Sequence, residues 1–387
     1  MKADKVKPLP FPIYFWAVLV TAAAGLVDSI YLSFSHYRVH TDVLYTSFCA
    51  VSRSINCDTV SQSPYSIFLG VPVPIWGVLG YLFVLLLLTF AGKKEADHRR
   101  IWPLLILAAL SFCIYSAILA YISKYYIRAY CIMCIVSYGI NFLLLYLAWI
   151  VRRRFPEKGF FKGLKKDFQF LWGFRKKAAG MFSPLLVLIV CLFLFLPDYW
   201  SFELPAVSAD TATGITEDGS AWIGAEEPEL VITEYSDYMC FQCKKKHAYL
   251  RQIVAENPDK LRLVHKSFPM DYGFNPLVAA PYHEGSAKLA MAAAYALYED
   301  RFWEMNDRLY DIPRGVKKLD VKRLAEETGV NFKRLVLSPH IKKLRYKVKR
   351  DITEGLKLGI TGTPAYVING KLYQGRIPVQ VIQDALS

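Results

Sequence analysis

The chain has 387 residues, 54% of them hydrophobic, and a formal net charge of +14. That length allows two or three domains, and apolar content this high argues against a single soluble globule. The charge is uneven, +12 over residues 1–200 and only +2 over the rest, so it reads as a topology signal and gives no support for nucleic-acid binding.

In chain order, apolar runs cover roughly residues 11–33, 71–91, 102–123, 131–151 and 182–200. Each approaches the ~20 residues that carry a helix across a bilayer. A cleaved signal peptide would end the first run near Ala22-Ala23-Ala24, but the run continues to Phe34 and is read as a retained span. Basic residues cluster on one side: Lys2, Lys5 and Lys7; Lys93, Lys94, Arg99 and Arg100; then ten between Arg152 and Lys177. The opposite loops hold only Arg38, Arg53, Lys124 and Arg128. Seventeen against four predicts a cytoplasmic N-terminus, with residues 34–70, 124–130 and everything after the fifth span outside.

The chain has eight cysteines. Cys113 and Cys191 fall inside apolar runs and are expected to pack as small hydrophobes. Cys49, Cys57, Cys131, Cys134, Cys240 and Cys243 all fall at or beyond the predicted outer face, where disulfides are permitted. Cys131 and Cys134 open the fourth span. At i, i+3 they share a helix face, and Tyr138 continues the stripe into the apolar region. A static disulfide at the helix start is the alternative for this pair. Asp28, late in the first run, is expected to be an interfacial or snorkelling acid, with a proton role as the second reading. The short stretch 64–70 cannot span and is expected to lie in the interface over the bundle.

Four features occur together: the loop Cys49-x7-Cys57; Ser63 six residues after Cys57; the entry Val71-Pro72-Val73-Pro74-Ile75-Trp76-Gly77; and Cys131-x-x-Cys134-x-x-x-Tyr138. They resemble the vitamin K epoxide reductase family, and more closely its bacterial homologues fused to a thioredoxin-like domain. The resemblance covers about residues 10–150 and 226–387. It implies that Cys49 receives electrons from the partner domain, that Cys57 passes them to Cys131, and that Cys134 faces and reduces a quinone. It also places Ser63 and Tyr138 near the quinone head-group. Vertebrate members carry an Asn where this sequence has Val73, which argues against an epoxide substrate and leaves ordinary quinone reduction.

Residues 201–225 are expected to be a tether, at most about 85 Å when extended and about 25–30 Å as a coil. Leu230–Tyr235 is predicted as a buried strand, followed by Cys240-Phe241-Gln242-Cys243 and a helix over 244–256. A strand feeding C-x-x-C into a helix start is the thioredoxin-like redox arrangement. The helix N-terminus favours a thiolate on Cys240, with Cys243 as the resolving thiol. Thr363-Pro364 resembles the cis-proline loop that receives a substrate peptide in that fold. Helices over 287–310 and 320–329 suggest an inserted helical subdomain, closer to DsbA-like periplasmic oxidoreductases than to plain thioredoxin. Phe241-Gln242 stands where most relatives have a Pro after the first Cys. His247 and His265 are expected to be solvated or packed. Lys244-Lys245-Lys246 is expected to be a solvated face adding positive potential near Cys240.

The expected fold is therefore a membrane all-α bundle, a four-helix core plus a fifth transmembrane helix, followed by an α/β thioredoxin-like domain with a helical insertion. The expected boundaries are 1–152, a basic cytoplasmic loop 153–181, the fifth helix 182–200, the linker 201–225 and the periplasmic domain 226–387. The expected location is the bacterial inner membrane. The expected function is a quinone-linked thiol oxidase driving disulfide formation in exported proteins, with lipid, quinone and reduced proteins as partners and no metal. A quinol-driven reductase or isomerase and a tethered peptide-binding chaperone are the alternatives.

Overall fold

The computed structural model describes residues 9–52, 54–91, 101–154, 159–201, 204, 211–312 and 319–386. Lys2, Lys5, Lys7, Arg53, Lys93, Lys94, Arg99, Arg100 and Lys158 lie outside them. The chain divides into two compact units, 1–200 and 201–387.

The first unit is helical. α1 (Phe11–Thr41), α3 (Val73–Ala91), α4 (Trp102–Ile122), α5 (Ile132–Arg154) and α7 (Arg175–Phe195) are each long and apolar enough to cross a membrane. α1, α3, α4 and α5 share a core that includes Val18 and Ala22 of α1, Val84 and Leu88 of α3, Leu105 and Ala109 of α4, and Leu144 of α5. Small residues allow the close approach this needs. A side chain at Gly25 would strike the Tyr81 ring at 2.2 Å, so this glycine seats α3 against α1. Residues 64–72 form a 3-10 turn and a minimal hairpin, β1 (Ile67–Phe68) with β2 (Val71–Pro72). Leu69 and Gly70 turn it with φ of 51° and 73°.

The basic segment 153–181 is not a loop. α6 (Phe160–Gly173) occupies it, and α7 begins at Arg175 rather than near 182. The cause is Asp167. It is fully buried, and its carboxylate accepts from Ile101 N (3.0 Å) and Leu104 N (3.3 Å), capping the free amides of α4.

The second unit is a six-stranded sheet of order β3-β4-β6-β5-β7-β8. Its strands are β3 (Thr213–Ile215), β4 (Ala221–Gly224), β5 (Leu230–Ser236), β6 (Leu261–Ser267), β7 (Ala365–Ile368) and β8 (Lys371–Gln374). β5 and β6 are parallel, joined through α8 (Phe241–Glu256). β3 and β4 lie inside the stretch expected to be linker. Their residues pair because Ala221 and Ile223 are apolar and face the core, while Gly224, at φ +114°, lets the chain pass against Leu261 O. Between β6 and β7 stand α9 (Ser286–Ala296), α10 (Phe302–Tyr310), α11 (Val321–Thr328), α12 (Phe332–Leu337) and α13 (Lys342–Lys357), the expected helical insertion; α14 (Val379–Leu386) follows β8. The helix expected over 287–310 is broken at Asp300, which takes φ +53°.

Candidate functional site

The membrane unit gathers its cysteines. Cys49 and Cys57 form a disulfide with Cα atoms 5.6 Å apart. Cys49, Cys57 and Cys131 make one buried cluster, with Leu32 of α1, Val60, Met133 and Cys134 packed against it. Local chemistry fixes each position. Cys57 opens the short helix α2 (Cys57–Ser61), capped by Asn56, whose side chain accepts from Thr59 N at 3.0 Å. Asp58 is buried and accepts from Ser47 N through both oxygens (3.2 Å each), tying the Cys49 side of the loop to α2. Asn56 N donates to Tyr130 O (2.9 Å) and Tyr130 N to Ser54 O (2.8 Å), a parallel bridge that clamps the loop onto the entry to α5. Cys134 N then donates to Cys131 Sγ at 3.1 Å, so Cys131 caps α5.

One turn deeper lies a polar chain. Ser137 Oγ donates to Asp28 Oδ2, and Asp28 Oδ1 has no partner. Tyr81 donates to Asn141 (2.6 Å), which donates to Ser116 (2.9 Å). Asp28 is therefore not an interfacial acid: it is 6% exposed. The face it shares with Leu32 and His36 turns inward, whereas a snorkelling side chain would point along the bundle surface. Ser63 is buried and donates to Val60 O (2.8 Å), leaving only its acceptor capacity. Tyr138 is half-buried beside Ser123, in electrostatic contact with both Cys131 and Cys134. Sequence reasoning missed His36, which is buried and bonds Tyr199 Oη (2.8 Å) and Ser66 Oγ (3.3 Å). Only its partners, remote in sequence, mark it.

The second unit repeats the device. Cys240 is the N-cap of α8, and its sulfur accepts from Cys243 N at 3.3 Å. The Cys243 thiol beside it, helped by the His283 charge, holds Cys240 down at about 7, against burial and Asp237, which push it up. Burial and the Cys240 sulfur push Cys243 well above its usual value. Cys240 can thus attack as a thiolate while Cys243 waits protonated and 1% exposed. The Thr363-Pro364 peptide is cis, and Thr363 O lies 3.7 Å from Cys240 Sγ, putting a backbone edge at the reactive sulfur. Asp237 is buried and bonded by His283 Nδ1 (2.9 Å), Met239 N (2.7 Å) and Met270 N (2.6 Å).

His247 and His265 are packed, not solvated. Both Nδ1 atoms meet Glu234 Oε1, at 2.5 and 2.8 Å. Burial pushes the Glu234 carboxyl up, but the two imidazoles overcome this and hold it at about 2. The three side chains form the one group with metal-binding donors among the described residues. In the structure these atoms are engaged with one another, and His247 Nε2 meets Asn306 Nδ2 at 2.9 Å, so the cluster is held together as a hydrogen-bond network. The lysine run is not a solvated face either. Lys245 and Lys246 are buried, Lys246 Nζ reaching Gly375 O, and Lys244 pairs with Asp311 at 2.8 Å. A helix between a sheet and an inserted subdomain has little open face left to solvate.

The pattern of the vitamin K epoxide reductase family matches residues 16–149, and that of thioredoxin matches 216–387. The chain joins a vitamin K epoxide reductase domain to a thioredoxin domain. The thioredoxin match starts between β3 and β4. A Na(+)/H(+) antiporter NhaA 1 of Mycolicibacterium gilvum is 24% identical over 154 residues, 39% of this chain. This chain spans only 24% of the length of that relative. A thioredoxin-like oxidoreductase from Silicibacter pomeroyi is 24% identical and aligns with TM-score 0.38, covering 44% of this chain and 91% of that one. The thiol-disulfide exchange protein alpha-DsbA2 of Wolbachia pipientis is 16% identical with TM-score 0.35, over 43% and 84%.

Proposed function

We propose that the protein is a quinone-linked thiol oxidase of the bacterial inner membrane, with its thioredoxin domain on the periplasmic side. Electrons pass from reduced exported proteins to Cys240 and Cys243, then to Cys49 and Cys57, then to Cys131 and Cys134, and leave to membrane quinone. Each thiol step is thiolate attack through a mixed disulfide. The segment after α7 tethers the thioredoxin domain, raising its effective concentration at the Cys49 loop into the millimolar range.

The observation that carries this reading is the single buried cluster of Cys49, Cys57 and Cys131 with Cys134 against it, capping an apolar bundle. A purely structural disulfide would not need two further thiols packed on it. An apolar ring with carbonyl oxygens fits the residues just inside that cluster. Asp28 supplies an unpartnered buried oxygen, and Tyr138 and Ser137 supply hydroxyls. Cys134, Tyr138 and Ser63 are the residues proposed to hold the quinone, which when bound supplies a two-electron acceptor. Thr363 and Pro364 are proposed to receive the client peptide.

The test is the purified full chain with added quinone and a reduced, unfolded protein. Quinone reduction is expected, and its loss is expected in Cys134→Ala. Cys49→Ala is expected to keep quinone reduction by small dithiols and lose it for clients. Cys240 is expected to trap Cys49 as a mixed disulfide when Cys57 and Cys243 are both replaced. If quinone is not reduced, or if Cys134→Ala turns over normally, the reading fails.

A further inference from the structure

The geometry points to Asp28 as the proton acceptor for the Cys134 thiol, returning that proton to the quinone. This rests on the quinone-linked reading above. Asp28 and Leu32 lie one turn apart on the same face of α1, and Leu32 packs on the cysteine cluster. Ser137 lies one turn beyond Cys134 on α5 and donates to Asp28 Oδ2. The carboxyl is therefore held one turn beneath the thiols, and its charge is felt at Cys131, Cys134 and, from α3, Tyr81.

Three observations set this acid apart. First, it is 6% exposed within a helix long and apolar enough to cross the bilayer. A carboxyl in that setting is costly and is kept where it faces a partner or a proton path. Second, the structure supplies one donor for Oδ2 and none for Oδ1, so one lone-pair face is open. Third, no basic side chain of the described residues pairs with it, which distinguishes it from a structural ion pair. The other carboxylates buried in this unit are fully used, Asp58 by Ser47 N and Asp167 by Ile101 N and Leu104 N.

The step balances. Closing Cys131–Cys134 forms one S–S bond, breaks two S–H bonds and sends two electrons to the quinone, whose two oxygens must gain two protons. Asp28 takes the Cys134 proton as that sulfur becomes the attacking thiolate, then gives it up to a quinone oxygen. The Cys131 proton leaves as the S–S bond closes and supplies the second. Ser137 holds Oδ2 and leaves Oδ1 open to take the proton.

The experiment uses the full chain in lipid nanodiscs with a short-tailed ubiquinone analogue. Asp28→Asn is expected to slow single-turnover quinone reduction by about a hundred-fold or more, the usual range for a lost general base. Asp28→Glu is expected to restore it to within about tenfold. Ser137→Ala, which leaves the carboxyl in place, is expected to lose about tenfold. The quinone-free readout is the infrared S–H band of the reduced protein, with Cys134→Ala subtracted. It is expected to move in Asp28→Asn, because the nearby carboxylate whose charge reaches Cys134 is replaced by a neutral amide. An unmoved S–H band, or Asp28→Asn turnover equal to wild type, overturns the assignment. Wild-type protein that fails to reduce the quinone instead overturns the function on which it rests. Refolding losses are separated by the rate of Cys49–Cys57 reduction by the thioredoxin domain, which needs no quinone and is expected to be equal in all variants.

Discussion

Replacing Cys243 with alanine tests how the thioredoxin domain makes its nucleophile. Cys240 sits at about 7 against a usual 9.0, and the largest single cause is the neighbouring Cys243 thiol. Two pH units correspond to about 2.7 kcal/mol of preference for the thiolate. The same sulfur keeps Cys243 N at 3.3 Å and the His283 charge in the variant, so the value is expected to rise partway, by one unit or more, toward 9.0. One unit lowers the thiolate fraction at pH 6 about tenfold. Thiolate reactivity climbs as basicity climbs, with a slope near 0.4–0.5, so the raw alkylation rate is expected to fall only about three- to fourfold. The decisive measurement is therefore the midpoint of a rate-against-pH profile for iodoacetamide at Cys240, read by peptide mass spectrometry. A midpoint at or below that of the wild type would show that the helix N-terminus and His283 suffice, and that the thiol pairing does not hold the thiolate.

Glu234→Ala strands two buried imidazole N–H donors, at about 1–3 kcal/mol each. The urea midpoint for exposing the buried Cys243 to alkylation is expected to drop by the equivalent of about 3 kcal/mol or more, and an unchanged midpoint contradicts the network. Glu234 is held at about 2 against 4.5, so its stabilisation, about 3 kcal/mol, is complete above pH 4.5 and lost as pH falls toward 2. Burial holds His247 below its usual 6.5, so the unfolded chain protonates first and stability begins to fall below pH 6.5 as well. Urea midpoints at pH 7, 5 and 3 are expected to decline in that order, and a flat series rules the assignment out. Gly224→Ala would set a Cβ 2.0 Å from Leu261 O at φ +114°, and a loss of about 3 kcal/mol is expected in the same assay. Asn56→Ala removes the cap of α2, about 1 kcal/mol, and hydrogen exchange at Thr59 N is expected to speed up about fivefold.

Apolar run length located the five helices long and apolar enough to cross a bilayer, because crossing as a helix requires ~20 apolar residues whatever the packing. The spacing of Cys131 and Cys134, and of Cys240 and Cys243, was similarly readable, because i, i+3 on a helix start is a local property. In both pairs the first sulfur accepts the amide of the second cysteine. Three things needed the tertiary structure. Asp167 looked like one acid among ten basic residues, and only the far-off α4 amides explain its burial and the helix that carries it. His247 and His265 lie under α10 of the insertion, against Asn306, Trp303 and Phe302, whereas Lys246 is buried by reaching Gly375 O beyond β8, and none of these partners is near in sequence. Asp28 is the sharpest case. Sequence could place a carboxylate late in the first span, but whether it points to the interface or to the thiols depends on the rotation of α1 about its axis. That rotation is set by Gly25 against Tyr81 and Leu32 against the cysteines, contacts between residues distant in the chain.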